Sequence, residues 1–337
     1  MIKKNHTFII AEAGVNHNGS LKLAKKLIDT ATYAGADAVK FQTFNADQVI
    51  SKDAKKIDYQ RKNFKDKDSQ LSMLKKLELK DYEFKELFNY CKKKKIIFLS
   101  TAKDLISAKF LNNLNVKAHK IGSGDIINHD LLSYLGKTNK PIIVSTGMAN
   151  LKEIGDVFKL IKKKKNIHLL HCVSLYPTAL NLANLNTIPF LKKKFKVSCG
   201  FSDHTPNYEA SIAAVALGAH IIEKHITLNK KMLGPDHKTS LDPSDFKNMV
   251  NSIRNIDSAL GSFNKVLSKK ERKNIKLFRR GLVFNKDIKK YAKITSADIS
   301  IKRPLTGLKP EFKFKIIGKI LRRDVKEDQP INLNCFK

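Results

Sequence analysis

Two short apolar runs, Val197–Ser202 and Ala219–Ile226, close on the polar clusters Ser202-Asp203-His204 and Glu223-Lys224-His225. Each run reads as a buried strand, and the small, apolar segment between them, about Asn207–Leu217, reads as a helix. Strand, helix, strand at this length is the right-handed crossover of parallel α/β folds, which bind ligands at the carboxyl ends of their strands. Either histidine alone would be read as satisfying a strand-end hydrogen bond. Two imidazoles at matching positions of neighbouring strands can share one divalent metal and leave coordination sites open. The other predicted strand ends carry Glu12, Lys40 with Gln42, Ser100 with Thr101, Lys120 with Ser123 and Asp125, Ser145 with Thr146, and His171 with Ser174 and Tyr176. Two lysines, several hydroxyls and a metal pair in one mouth suit a small, multiply anionic ligand, with ammoniums as point charges and hydroxyls as donors to its oxygens. Taken singly, each Ser or Thr is what strand propensity alone would place there. Gly122-Ser123-Gly124 lacks the longer glycine pattern of a phosphate loop, and Asn16-His17-Asn18-Gly19 reads as a turn and cap.

The elements that must position these residues alternate along the chain. Strand-like runs fall at Thr7–Ala13, Ala36–Phe44, Ile96–Thr101, Val116–Ser123, Pro141–Thr146 and Ile167–Ser174, and the two runs above bring the count to eight. Helical patterns lie near Ser20–Ala34, Glu78–Lys93, Asp104–Asn113, Asp130–Lys137, Leu151–Lys163 and Asn181–Lys193. Asp242–Leu260 follows the eighth strand, with Asp242 or Ser244 as its N-cap. Eight strand–helix units predict a (β/α)8 TIM barrel over residues 1–260. The connection Asn45–Leu77 exceeds ordinary loop lengths and, on the catalytic face, reads as a loop covering substrate. Residues 261–278 read as a charged, partly helical linker, and residues 279–337 as a separate β-rich domain with short runs at Gly281–Phe284, Ile299–Lys302 and Ile316–Ile320.

At 337 residues the chain accommodates a barrel of about 250 residues and a small second domain. No apolar run approaches the roughly 20 residues of a membrane span, and the opening MIKKNHTFIIAEAG does not read as a secretory signal. Cys91, Cys172, Cys199 and Cys335 show no CxxC spacing, so reduced thiols of a cytoplasmic protein are expected. The formal charge of +34 comes overwhelmingly from lysine, in runs such as Lys92–Lys95, Lys162–Lys165 and Lys192–Lys194. Each run lies at a helix end, where cations meet the helix dipole favourably. Arginine is scarce and tryptophan absent, unlike nucleic-acid-binding faces, so no nucleic-acid partner and no membrane are expected. A positive field would still recruit an anionic substrate.

Several motifs, in order and each at a predicted strand end, resemble one family. They are Ala11-Glu12-Ala13-Gly14-Val15-Asn16-His17-Asn18-Gly19, Val39-Lys40-Phe41-Gln42-Thr43, Lys120-Ile121-Gly122-Ser123-Gly124-Asp125 and Ser145-Thr146-Gly147-Met148. They continue as His171-Cys172 with Tyr176-Pro177, Ser202-Asp203-His204-Thr205, Glu223-Lys224-His225 and Gly234-Pro235-Asp236-His237. The chain resembles, nearly end to end, the sialic acid synthases, which make N-acetylneuraminate and related nonulosonates from phosphoenolpyruvate. The tail, with Lys302-Arg303-Pro304 and Gly307, looks like that family's antifreeze-like (SAF) domain.

The resemblance implies the roles. Lys40, Thr101, Lys120 and Ser123 would hold the phosphoenolpyruvate carboxylate and neighbouring oxygens, and Ser145, Ser174 and Ser202 would face its phosphate. His204 and His225 would bind Mn2+, or Mg2+ or Co2+, with His225 also counted among the catalytic groups. Glu12, Gln42, Asp125, Tyr176 and Asp236 would surround the sugar and the metal-side water, with Glu12 and Asp125 sharing the proton handling. Arg303 would contact the sugar in trans, in a domain-swapped homodimer. The expected reaction joins phosphoenolpyruvate, an open-chain N-acetylmannosamine and water into N-acetylneuraminate and phosphate. N,N'-diacetyllegionaminate synthesis from the 2,4-diacetamido-6-deoxy analogue is the near rival, and pseudaminate synthesis a more distant one. An aldolase without phosphoenolpyruvate, or a carbohydrate-binding role for the tail, are the readings from other classes. The chain departs from the family's usual Pro-Phe after Ser100-Thr101, where it has Ala102-Lys103, from Asn or Thr at Ser174, and from Glu in many members at Asp125.

Overall fold

Parallel strands that are covered on both faces should be continuous apolar runs, and eight such runs close on one another in this chain. The computed structural model describes residues 6–57, 60–61, 69–162, 166–262 and 264–337. The start of the opening stretch, most of the lysine run after Lys162 and the far end of the helix expected to reach Lys163 lie outside the described residues. Strands β1 (Phe8–Gly14), β2 (Ala38–Thr43), β3 (Ile97–Ala102), β4 (His119–Ile121), β5 (Ile142–Ser145), β6 (Ile167–Cys172), β7 (Ser198–Asp203) and β8 (Ile221–His225) form a closed barrel in sequence order. This is the expected (β/α)8 architecture.

Residues in register on parallel neighbours share a face, which sorts every strand into two sets. Outward, Val39, Phe41, Ile121, Val144, Leu169, Phe201 and Ile222 pack beneath the surrounding helices. Inward, Phe8, Ile10, Ala38, Leu99, Ala118, Ile143, Leu170 and Ile221 fill the lower barrel as an apolar plug. Above the plug the inward set turns polar. Glu12 is in register with Lys40 and with His225, Thr101 with Gln42 and Lys120, and Ser202 with Cys172 and Glu223.

The helices begin where side-chain acceptors meet the unpaired amides of their first turns. Ser20, Asp104, Asn128, Asn150 and Asp242 each cap the helix that follows. Lys92–Lys94 and Lys192–Lys194 occupy the last turns of the helices Asp81–Lys94 and Thr187–Phe195. Three expectations need correction. The connection after β2, read throughout as a covering loop, carries the helix Gln70–Leu77, whose Met73, Leu74 and Leu77 bury a satellite cluster with Val15 and Phe44. The helix expected from Asn181 starts instead at Thr187, after a short helical turn Leu180–Leu182. The run Ile316–Ile320 is no strand, since Ile316 ends a helical turn and Gly318 takes a left-handed φ of 86°.

The chain divides into two compact units, the first ending at Gly261 and the second running Ser262–Lys337. The second contains the helix Lys269–Phe278, which lies within the stretch read as a linker, and the antiparallel pair β9 (Gly281–Phe284) and β10 (Ile299–Lys302). The strand pair supplies Leu282, Phe284 and Ile299 to a core of the unit's own that also includes Phe336. Among the described residues no helix is long and apolar enough to cross a membrane, and all four cysteines are buried and free.

One buried ion pair fixes the backbone that leads into the mouth. Lys224 Nζ lies 3.1 Å from Asp203 Oδ2, on the outer side of β7 and β8, with both side chains fully buried. Asp203 also accepts from the Thr205 amide and hydroxyl and from Ser211. Removing one partner strands the other charge, so Lys224→Met is expected to lower the unfolding free energy by about 3–5 kcal/mol, read as a fall in the urea midpoint. An unchanged midpoint would show that the pair is not what holds β7 to β8.

Candidate active site

The polar ring above the plug is built around Glu223, a residue that strand-end inspection did not single out. Its Oε1 accepts from the Ser202 hydroxyl at 3.0 Å and lies 3.7 Å from Lys120 Nζ, while Oε2 lies 3.7 Å from Lys40 Nζ. Lys40 also pairs with Glu12 at 2.7 Å and donates to Thr101 Oγ1 at 2.7 Å. Gln42 donates to the other Glu12 oxygen at 3.2 Å. Lys120 donates to Ser145 Oγ at 2.7 Å and to the Ile121 carbonyl at 3.1 Å. Thus Glu12, Lys40, Gln42, Thr101, Lys120, Ser145 and Ser202, which sequence reading placed in one site, form one bonded network.

Burial sets the electrostatics. It pushes Glu223 upward, but Lys120 and Lys40 outweigh it and hold the carboxyl down to about 2. Burial also works against the Lys40 ammonium, yet Glu12 and Glu223 together keep its pKa above the ordinary value. Lys120, with Glu223 shared and Lys40 nearby, is lowered by its burial. Glu12 is raised by burial against the opposing pull of Lys40.

A second cluster follows β4, β5 and β6. Ser123 and Asp125 sit on the helical turn Ser123–Asp125 after β4. Ser123 Oγ accepts from the Gly147 amide at 3.0 Å and touches Cys172 Sγ at 3.0 Å. A Cβ on Gly147 would fall 2.3 Å from Ser174 Oγ, 2.6 Å from Cys172 Sγ and 2.8 Å from Ser123 Oγ. The glycine therefore keeps open a cradle lined by two hydroxyls and a thiol. Cys172 was missed because nothing in the dipeptide His171-Cys172 tells which member faces inward. The neighbouring His171 faces outward, stacking on Phe201 and bonding the Ala183 carbonyl at 2.8 Å. Ser100 likewise points outward, to Thr43.

Across the barrel, His204 follows β7 and His225 ends β8, with ring centroids 5.7 Å apart. Tyr176, in the loop after β6, packs 4.2 Å from the His204 ring and edge-on to His225 at 6.1 Å. His204 Nδ1 lies 2.8 Å from the Val173 carbonyl, which assigns the proton to Nδ1 and leaves Nε2 a lone pair. Among the described residues, His225 Nδ1 is buried with no hydrogen-bond partner. Burial lowers both imidazoles, His204 to about 4, so both present neutral nitrogens. Two neutral imidazoles, one oriented by a carbonyl and one carrying an orphaned nitrogen, fit a divalent metal. Among the described residues no group of three or more His, Cys, Asp or Glu surrounds such a position.

Asp236 lies buried in the loop after β8, just before the helical turn His237–Thr239. Its backbone carbonyl accepts from Ser240 and Thr239, and Asn16 bonds Ser240 in turn at 2.8 Å. His237 bridges Thr227 and Asn18 beside it. The turn motif after β1 therefore braces the Asp236 loop, a long-range role that its local sequence did not disclose. Arg303 belongs to the second unit, following β10, with its guanidinium 5.7 Å from the Phe278 ring.

The NeuB family model matches residues 27–265, and the SAF domain model matches residues 279–337. The chain is 49% identical over 329 residues to N,N'-diacetyllegionaminic acid synthase of Campylobacter jejuni, covering 96% of this chain and 98% of that protein. It is 41% identical to the protein of the same name from Legionella pneumophila, covering 92% of this chain and 89% of the relative. The solved structure of an N-acetylneuraminic acid synthetase from Leptospira borgpetersenii, in complex with citrate, matches with a TM-score of 0.72 and 35% identity over 81% of this chain and 92% of that one.

The Gly147 cradle generates a test of the site's anion chemistry. In Gly147→Ala the new methyl displaces Ser123, Cys172 and Ser174, while the barrel core below is untouched. Titration calorimetry is expected to show inorganic phosphate binding weakened by roughly tenfold, the worth of one or two hydrogen bonds, with the melting temperature within a few degrees of the parent. Unchanged phosphate affinity would remove these side chains from the anion site.

Proposed function

The chain belongs to the NeuB family of nonulosonate synthases, and we propose that it condenses phosphoenolpyruvate with an open-chain 2,4-diacetamido-2,4,6-trideoxymannose to give N,N'-diacetyllegionaminate and phosphate. The observation that carries the choice of sugar is the 49% identity to the Campylobacter legionaminic acid synthase along nearly the whole of both chains. N-acetylmannosamine is the second reading, favoured by the likeness to the Leptospira synthetase.

The site suits this chemistry. Lys40 and Lys120, with Thr101 and Ser123, are positioned to hold the carboxylate of phosphoenolpyruvate, and Ser145, Ser174 and Ser202 to donate to its phosphate. A divalent metal on His204 and His225, for which Mn2+ is our choice and Mg2+ or Co2+ the alternatives, would polarise the sugar aldehyde. C3 of phosphoenolpyruvate forms the new bond to the aldehyde carbon, and positive charge develops at C2. Water adds at C2 and one of its protons goes to the former aldehyde oxygen, and the remaining C2 hydroxyl proton leaves as the C2 keto group forms and the C2–O bond to phosphate breaks. Glu12, tied to Lys40 and Gln42, is placed to face the developing cation. Burial raises Asp125 despite Lys103 and Lys120, and raises Glu12 as well, so either carboxyl is suited to carry a proton through the cycle. Gln42, Tyr176 and Asp236 would orient the sugar. Arg303 of a second subunit would complete the sugar site in a domain-swapped homodimer acting in the cytoplasm.

Phosphate release from phosphoenolpyruvate with Mn2+ is expected to be fastest with the diacetamido sugar, slower with N-acetylmannosamine and slowest with the altrose isomer. Chelation, His204→Ala and His225→Ala are each expected to lower turnover by roughly a hundredfold or more in a protein that stays folded. Release with none of the sugars would sink the synthase reading. Full activity in metal-free His204→Ala would sink the metal assignment, and a preference for N-acetylmannosamine would select the second reading.

A further inference from the structure

Lys103 is an ammonium of the mouth that the scheme above does not use. β3 ends at Ala102, and the Lys103 amide donates to the Thr43 carbonyl at 3.1 Å, which continues the β2–β3 ladder one residue beyond the strand. Thr101 faces inward to Lys40 and Ala102 packs outward into the core, so strand alternation turns Lys103 inward again. Its side chain is half-buried, with Nζ 5.6 Å from the centroid of the Phe44 ring. Burial lowers its pKa, and the carboxylates of Asp125, Asp236 and Glu12 act against that lowering.

Among the described residues, the Lys103 ammonium has neither a hydrogen bond nor an ion pair. Lys40 and Lys120, by contrast, are engaged by Glu12, Glu223, Thr101 and Ser145. A half-buried ammonium without a protein acceptor gains a hydrogen bond when a ligand brings an acceptor into the mouth. The ligand group is constrained by charge. A phosphate or carboxylate placed at Lys103 would also stand close to Asp125 and Asp236, whose repulsion opposes it. A neutral carbonyl meets no such opposition. Lys103 follows β3 and Asp125 follows β4, on the arc of the barrel opposite β7 and β8, which carry the imidazoles. A ligand whose aldehyde lies at the imidazoles would therefore extend its far substituents toward Lys103.

We propose that Lys103 is a specificity-determining residue that donates a hydrogen bond to an acylamino carbonyl oxygen of an uncharged acceptor sugar. The inference rests on the synthase reading. It assigns a role to a position where the family to which the chain is similar usually carries phenylalanine, a side chain with no hydrogen to donate to a carbonyl.

The test is steady-state phosphate release by the full chain, Lys103→Met and Lys103→Arg. Phosphoenolpyruvate is paired with the diacetamido sugar, N-acetylmannosamine and N-acetylmannosamine 6-phosphate. Lys103→Met is expected to raise KM for the preferred uncharged sugar by about tenfold, the worth of one hydrogen bond from a charged donor, with KM for phosphoenolpyruvate within about twofold. Lys103→Arg is expected to recover part of the loss, since it keeps a cationic donor. An unchanged sugar KM in Lys103→Met overturns the proposal. So does a rise confined to phosphoenolpyruvate, or a parental preference for the phosphorylated sugar that disappears in Lys103→Met. A parent enzyme that turns over no sugar overturns the synthase reading and this inference with it, whereas turnover indifferent to Lys103 overturns the inference alone.

Discussion

Two ammoniums held inside a barrel, away from water, are the constraint on which the site depends. Lys40 is 2% and Lys120 3% exposed, and isolated charges at that depth would shed their protons before accepting the desolvation cost. Glu223 prevents this by standing 3.7 Å from both. The two lysines are nevertheless unequal. Lys40 faces two carboxylates, whereas Lys120 shares one and otherwise meets only the neutral oxygens of Ser145 and Ile121. Lys120 is thus left short of negative charge, and an incoming anion supplies it. A small anion would relieve this shortfall with no contribution from the many lysines at the surface, whose field is screened within about 8–10 Å.

The same strands carry a second charge system on the opposite face. Ser202 and Glu223 point into the barrel, while Asp203 and Lys224, one residue along on each strand, pair on the outside. The outer pair locks β7 to β8 immediately before His204 and His225, so the imidazoles are held by packing that does not intrude on the mouth. This explains why the polar clusters closing these strands are three residues long. Inward, outward and terminal positions each have a different task.

Parity of this kind decides what was legible in the sequence. The eight strands could be read because doubly covered parallel strands are unbroken apolar runs, and their ends because polar residues interrupt those runs. Most of the interior ring followed from the strand ends. Within Glu223-Lys224-His225 and His171-Cys172, however, adjacent polar residues carry no sign of facing, so Glu223 and Cys172 were passed over and His171 was grouped with residues it does not join. The helix Gln70–Leu77 leaves little trace in the sequence, because its apolar stripe covers only two turns and is buried against Val15 and Phe44, far away in sequence. The bracing of Asp236 by Asn16 through Ser240 is invisible for the same reason.

The division between interior and rim also bears on how such a scaffold changes its substrate. Replacing Lys40, Lys120, Glu12 or Glu223 uncovers a buried partner charge, a loss of several kcal/mol that few domains tolerate. Lys103, Asp125 and Ser174 lie beyond the strand ends, half-exposed, on turns after β3, β4 and β6. A change there exchanges one ligand-facing group for another without breaking the charge network beneath. Three of the four residues that depart from the pattern of the family it resembles fall at these rim positions, the fourth, Ala102, ends β3 and packs outward into the core, and none falls in the ring. A ring that is hard to alter can therefore persist while the rim around it changes at little cost in stability.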